Sequence, residues 1–253
     1  MAKAYINRIE ALRKQYLDTR VDMDVYNAKY LTEGFKETEG QPWIMQKAAG
    51  FRNQCLKKNI YILDHELLVG GAAFKPRAGI LCADSSCSIL DRELDTISTR
   101  KFDPFYLDEE GKRIFKEEVS DYWKNKCLLD RWQAMMPEKL RDLRDTGMIY
   151  IDRKAVRGYG ETTPGWTELL SKGVGGFKRE AEEKLAQLTE SRVGDLEKIY
   201  FLKALITAAE GIIALANRHA DLAEQMAGEC KDEVRKAELL KIAEVNRRVP
   251  EHP

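Results

Sequence analysis

The stretch Leu196–Ala223, LEKIYFLKALITAAEGIIALANRHADLA, decides the fold class. Ile199, Leu202, Leu205, Ile206, Ile212, Ile213 and Leu215 lie on nearly all sides of a 3.6-residue helix, which predicts a helix buried at the centre of an assembly. Lys203, Glu210 and Arg218 interrupt it too often for a membrane span. On its C-terminal side, Lys231–Arg247 reads as a strongly charged helix with Val234, Leu240 and Ala243 turned inward. Val249–Pro253 then reads as an extended segment with no capping element, an ending that looks like a cut. On its N-terminal side, Trp166, Leu169, Leu170, Val174, Phe177, Ala181, Leu185 and Leu188 form one long apolar stripe. Gly173, Gly175 and Gly176 weaken its middle and mark a kink or break.

Before that stripe, Met148–Thr163, MIYIDRKAVRGYGETT, interrupts the helical pattern. Met148-Ile149-Tyr150-Ile151 suits a short buried strand. Arg153, Lys154 and Arg157 follow, and then Gly158-Tyr159-Gly160 holds a tyrosine on a sharply bent segment. Such a segment either projects one side chain into a pocket or makes a tight surface turn with a packed aromatic. The basic cluster suits an anionic group such as a carboxylate or sulfonate, or a solvated turn.

Towards the N-terminus, Tyr5, Ile6, Ile9, Leu12, Tyr16 and Leu17 give a first amphipathic helix. A second runs from Asp24 as N-cap through Phe35 to Gly40 as C-cap, and a third follows Pro42 with Trp43, Ile44, Ala48, Phe51, Cys55 and Leu56. Ile60–Leu63 and Leu67–Val69 are expected as short β runs. Ser85 or Ser86 is expected to cap a helix through Ile97, and Asp108 to cap one carrying Ile114, Phe115, Val119, Tyr122 and Trp123. Pro137 splits shorter helices after it.

Lys+Arg and Asp+Glu are both 42 of 253 residues, so no global basic field argues for nucleic acid. Cys55, Cys82, Cys87, Cys127 and Cys230 are odd in number and scattered, which predicts free thiols in a reducing cytoplasm and no metal site. The N-terminus has no apolar core of a secretory signal. His65 reads as an exposed loop residue or, with no visible partner, a general base, and His219 as a satisfied structural histidine in preference to a ligand.

The ordered run Tyr30-Leu31-Thr32-Glu33, Asp64-His65-Glu66-Leu67-Leu68-Val69-Gly70, Glu93-Leu94-Asp95 with Thr99-Arg100, Asp121-Tyr122-Trp123, Gly158-Tyr159 and Arg248-Val249-Pro250 resembles the N-terminal third of a glycyl radical enzyme. The similarity is to the pyruvate formate-lyase-like dehydratases and lyases, which act on glycerol, propanediol, hydroxyproline or choline, and it spans almost all 253 residues. The resemblance implies a mainly α architecture with a few short strands, the helical N-terminal part of an α/β barrel. It implies that residues 1–253 are an incomplete domain. The thiyl cysteine, its glutamate and the radical glycine are expected in later sequence, since none of the five cysteines sits in a Gly-Cys-x-Glu pattern.

No catalytic residue is therefore expected in this chain. Ile151 and Tyr159 match the two positions, eight residues apart, that face substrate in the resembling dehydratases. Several relatives have histidine where Tyr159 stands, and a neutral phenol cannot carry a proton near pH 7 as an imidazole can. Ile151 supplies shape and dryness, suiting a substrate less polar than glycerol. Tyr26-Asn27 and Ala83-Asp84 replace charged or proline-containing pairs of the relatives. The implied partners are the remainder of the enzyme or a second subunit, a radical S-adenosylmethionine activase, a small-molecule substrate and a second copy in a homodimer when complete, with neither nucleic acid nor membrane. The reaction implied is anaerobic radical cleavage of a C–O, C–N or C–S bond, with no turnover by this chain alone. The competing expectation is a non-catalytic helical scaffold or interaction protein derived from that family, which would lack exposed apolar surface.

Overall fold

The computed structural model describes residues 2–149 and 164–252. The order is α1 (Ala2–Asp18), β1 (Asp22–Asp24), α2 (Tyr26–Glu37), α3 (Trp43–Lys57), β2 (Ala78–Ile80), α4 (Ala83–Glu93), α5 (Glu109–Ile114), a π-helical turn (Phe115–Ser120), α6 (Asp121–Trp123), α7 (Leu128–Met135), α8 (Glu138–Asp145), α9 (Trp166–Leu185), α10 (Asp195–Glu229) and α11 (Glu233–Arg248). The mainly helical expectation holds. Ile151, Tyr159, Arg153, Lys154 and Arg157 lie outside the described residues.

The first core joins α2, α4 and the helices from α5 to α7. Its centre is aromatic: Phe35 and Trp123 meet edge-on with ring centroids 4.8 Å apart, and Trp43 and Tyr122 meet Trp123 at 6.2 and 5.2 Å. Trp123 is buried, and its indole N–H donates to Thr32 Oγ1 at 2.8 Å; that hydroxyl donates in turn to Ala28 O at 2.7 Å. A polar ring edge deep in a core is thus fully satisfied. Glycine sets the approach of α2 to α3, because a Cβ on Gly34 would stand 2.5 Å from Gly50 Cα. The second core, Ile62, Ala220, Ala223, Ala227, Leu239, Ile242 and Ala243, lies between α10 and α11.

Two of the capping expectations hold. Asp108 Oδ1 accepts from Gly111 N at 2.7 Å, and Asp24 Oδ1 accepts from Asn27 N at 3.0 Å, although Asp24 also ends β1. Gly40 has a φ of +88°, in the turn just beyond the C-cap Thr38.

Several expectations are corrected. Ile60–Leu63 and Leu67–Val69 are not strands. Side chains take the carbonyl that ends the first run and carbonyls beside the second: Arg235 donates to Leu63 O and Glu66 O, each at 2.9 Å, and Lys58 Nζ donates to Gly71 O at 2.9 Å. Among the described residues the strands are β1 and β2, paired in parallel with Met23 opposite Gly79. Neither Ser85 nor Ser86 caps α4, which starts at Ala83; Ser86 sits at a kink with φ −147°. Val234 and Leu240 are exposed, and Leu239 and Ile242 take the inner face with Ala243. The final segment is not extended. Glu251 N and His252 N both donate to Arg248 O, and Pro250 is buried. The helix α9 breaks at Gly173, where φ is +65°, and the break frees the N–H of Gly175, which donates to Pro250 O at 2.7 Å.

The helix α10 departs from expectation most. Its 35 residues include an 18-residue window long and apolar enough, by length and composition, to cross a membrane, so the charges interrupt it less than expected. Here it packs along α3, α9 and α11, and its ionic groups serve those contacts: Arg218 donates to Cys55 O and Lys58 O at 2.7 and 2.8 Å, while Glu210 pairs with Lys178 at 3.3 Å. It is not buried all round. Ala204, Ala209 and Gly211 are covered, whereas Phe201 is 54% and Ile212 39% exposed.

Candidate functional site

The frame of the expected pocket stretch is described on both sides. The chain leaves α8 through Gly147, φ +76°, with Gly147 N donating to Arg144 O and Met148 N to Leu143 O, so a left-handed glycine closes the helix end. Met148 stands exposed. After residue 163 the chain re-enters at Pro164, and the first turns of α9 present Trp166 and Leu170 outward, up to the break at Gly173. The frame of this segment is thus apolar and open.

Sequence reasoning missed a carboxylate pair on β1. Asp22 and Asp24 alternate inward with Met23 between them, both nearly fully buried. Burial works against the charged form of Asp22, but hydrogen bonds from Arg20 and Lys75 outweigh it and hold its carboxyl below the usual range. Burial lifts Asp24, and the Asn27 and Phe74 amides, the latter at 3.1 Å from Oδ2, with the charge of Lys58, offset this only in part. Asp24 ties β1 to α2 and to Phe74, and Asp22 ties it to Lys75 and to Arg20 just before the strand. The arrangement is a joint of the fold. An Asp-x-Asp alternation directly after Arg20 was the signal available in the sequence.

A cleft of about 470 Å³ opens between α3, α4 and α7, lined by Trp43, Lys47, Cys82, Asp84, Lys126 and Arg131 among others. Lys47 is paired with Asp84, and Arg131 lies over the Trp43 ring at 5.3 Å. Burial raises the Cys82 thiol, with the Asp84 carboxylate adding to it, and burial pushes Cys87 up to about 12, so neither is a ready thiolate near pH 7.

His219 is where sequence placed it, a buried histidine on α10 with Nδ1 2.9 Å from Leu215 O. Burial lowers its pKa, and Lys58 and Arg218 lower it further, while the Leu215 carbonyl and Glu66 act in the opposite sense. The neutral form is favoured in the folded protein. Unfolding therefore takes up a proton below the ordinary histidine pKa of about 6.5. As pH falls through that value, the stability due to His219 is progressively lost. In His219→Gln the slope of unfolding free energy against pH over this window is expected to flatten, as urea titrations at several pH values will show; an unchanged slope would exclude the residue. His65 is exposed, as expected.

Comparison with known proteins accounts for this framework. The model of the pyruvate formate lyase-like family matches residues 2–253. Isethionate sulfite-lyase from Desulfovibrio desulfuricans is 32% identical over 97% of this chain and 31% of the lyase. The structure reported for 1,2-propanediol dehydration in Roseburia inulinivorans superposes with a TM-score of 0.90 at 30% identity, covering 97% of this chain and 31% of that one. A glycyl radical enzyme from Archaeoglobus fulgidus superposes at 0.88 and 31% identity, with the same coverage. The chain spans about a third of the length of the relatives it matches. The match of family model, sequence and backbone over nearly every residue shows that this chain belongs to the pyruvate formate lyase-like family of glycyl radical enzymes.

Proposed function

We propose that this chain is the N-terminal part of a glycyl radical lyase or dehydratase and forms one wall of its substrate pocket. The reacting groups, a thiyl cysteine and a radical glycine, belong to the other two-thirds of the enzyme. The observation that carries this reading is a backbone that follows such an enzyme at a TM-score of 0.90 over 97% of this chain yet over only 31% of the enzyme. A radical S-adenosylmethionine activase installs the radical, in an anaerobic, reducing cytoplasm. The radical on the complete enzyme abstracts hydrogen from a small substrate, and a C–O, C–N or C–S bond is lost. This chain orients that substrate and excludes water from it.

Two sequence features narrow the substrate. Arg153, Lys154 and Arg157 place three cations next to the pocket-facing positions and suit an anionic substrate group such as a sulfonate or carboxylate. Ile151 and Tyr159 supply a dry surface and one phenolic hydrogen bond. In the assembled enzyme, Tyr159→Phe is expected to raise KM by roughly threefold to tenfold, since one hydrogen bond to a bound substrate contributes about 0.5–1.5 kcal/mol. Steady-state kinetics checks this; unchanged KM and kcat would remove Tyr159 from the pocket.

A further inference from the structure

One face of α10 has no partner along part of its length. Phe201, Leu205, Ala208, Ile212 and Leu215 recur at spacings of four and three, which places them in a single seam without a charged member. The same spacing continues through His219, Leu222 and Met226. There the seam is closed: His219 is buried, and Leu222 and Met226 pack against Ile62, Leu239 and Ile242. Between Phe201 and Leu215 it is open, with Phe201 and Ile212 exposed and Leu205, Ala208 and Leu215 half-covered. The helices α3 and α9 do not close it, because they lie against other faces of α10. The α3 side is the face where Gly211 lies 3.1 Å, from its would-be Cβ, to Arg52 Cα, and the α9 side is where Glu210 reaches Lys178.

We infer that this open seam is the docking surface for an apolar helical face of the other two-thirds of the enzyme, an inference that rests on the proposed function. Two observations select that occupant. The seam is continuous with one already packed in the same helix, so the open half has the geometry of an interior contact. The matched relatives carry about twice as much further chain as the part seen here, and that chain has to contact this fold somewhere. The open apolar strip, at a helix–helix spacing, is bordered at its N-terminal end by the exposed charges Glu197 and Lys198.

The test uses the 253-residue chain and, as probe, a separate polypeptide comprising the two-thirds of the Desulfovibrio desulfuricans isethionate sulfite-lyase that this chain does not match. Affinity is read by sedimentation velocity. Phe201→Asp with Ile212→Asp is expected to weaken the complex by at least about tenfold, because two apolar anchors are replaced by charges that would be buried without partners. The helical circular dichroism and melting temperature stay those of the parent. Val193→Asp, an equally acidic change at a fully exposed position before the helix, leaves the affinity unchanged. Equal affinity of parent and double variant would overturn the seam while leaving the family reading intact, since turnover by the mixture tests that separately. No complex at all, self-association of the parent abolished by the double variant, or seam-dependent binding to phosphatidylcholine–phosphatidylglycerol vesicles would each overturn it too, the last two in favour of a second copy or a lipid surface.

Discussion

Replacing Trp123 by alanine is expected to cost about 3–5 kcal/mol, the range for deleting a large aromatic side chain from a packed core. Trp123 is the residue on which the first core converges: Phe35, Trp43 and Tyr122 meet its ring, and Thr32 on α2 receives its N–H. The cavity left would lie between α2 and the helical segment that follows the π turn, and neither can collapse into it. The α2 backbone is already fixed against α3 by the contact of Gly34 with Gly50. A domain is usually stable by roughly 5–15 kcal/mol, so this one change removes a large part of the total. Urea unfolding checks it: the midpoint should fall with little change in slope, which signals lost stability and not an altered unfolded state. Trp123→Phe should fall between, keeping most of the ring contacts while losing the bond to Thr32. An unchanged midpoint in Trp123→Ala would mean that the aromatic cluster does not hold the two segments together.

The second large effect is all-or-none and concerns turnover. The chain carries a fold that its relatives use for radical lysis, and it carries about a third of their length. Burial raises the thiols of Cys55, Cys82 and Cys87, so none of these three is a ready thiolate near pH 7. The carboxylates buried on β1 are spent on structure. Under the proposed function the chain offers a substrate surface and shape, which accelerate a reaction only when the reacting groups are brought to them.

How much of this was legible in the sequence depends on the range of the physics involved. Helix existence was legible from apolar spacing, and so were the caps at Asp24 and Asp108, because each depends on groups within three residues. The break at Gly173 was legible because glycine is the residue that tolerates it. Ile60–Leu63 and Leu67–Val69 are loops and not strands in a segment where Leu63 O and Glu66 O are held by Arg235, about 170 positions away, a partner that local pattern cannot show. The Val234 and Leu240 error has a different origin. A sparsely apolar helix offers more than one inward face, and the choice of Leu239 and Ile242 was made by Ala220 and Ala223 on α10. Of the candidate site, the glycine-flanked Tyr159 stands out from the sequence itself, its role and that of Ile151 come from the resemblance, and both lie outside the described residues. The carboxylate joint on β1 is not visible in local pattern, which reads Asp24 as a helix cap, because its other partners, Phe74 and Lys75, lie about 50 positions away.

The most direct measurement of the central claim is anaerobic turnover. The purified chain is incubated with a radical S-adenosylmethionine activase, S-adenosylmethionine, a reductant and either isethionate or propanediol. It is assayed alone and together with the polypeptide carrying the unmatched two-thirds of the Desulfovibrio desulfuricans lyase. Product is predicted only from the mixture, with neither polypeptide active by itself. Product from the 253-residue chain alone would contradict the claim that it furnishes a wall and not the reacting atoms.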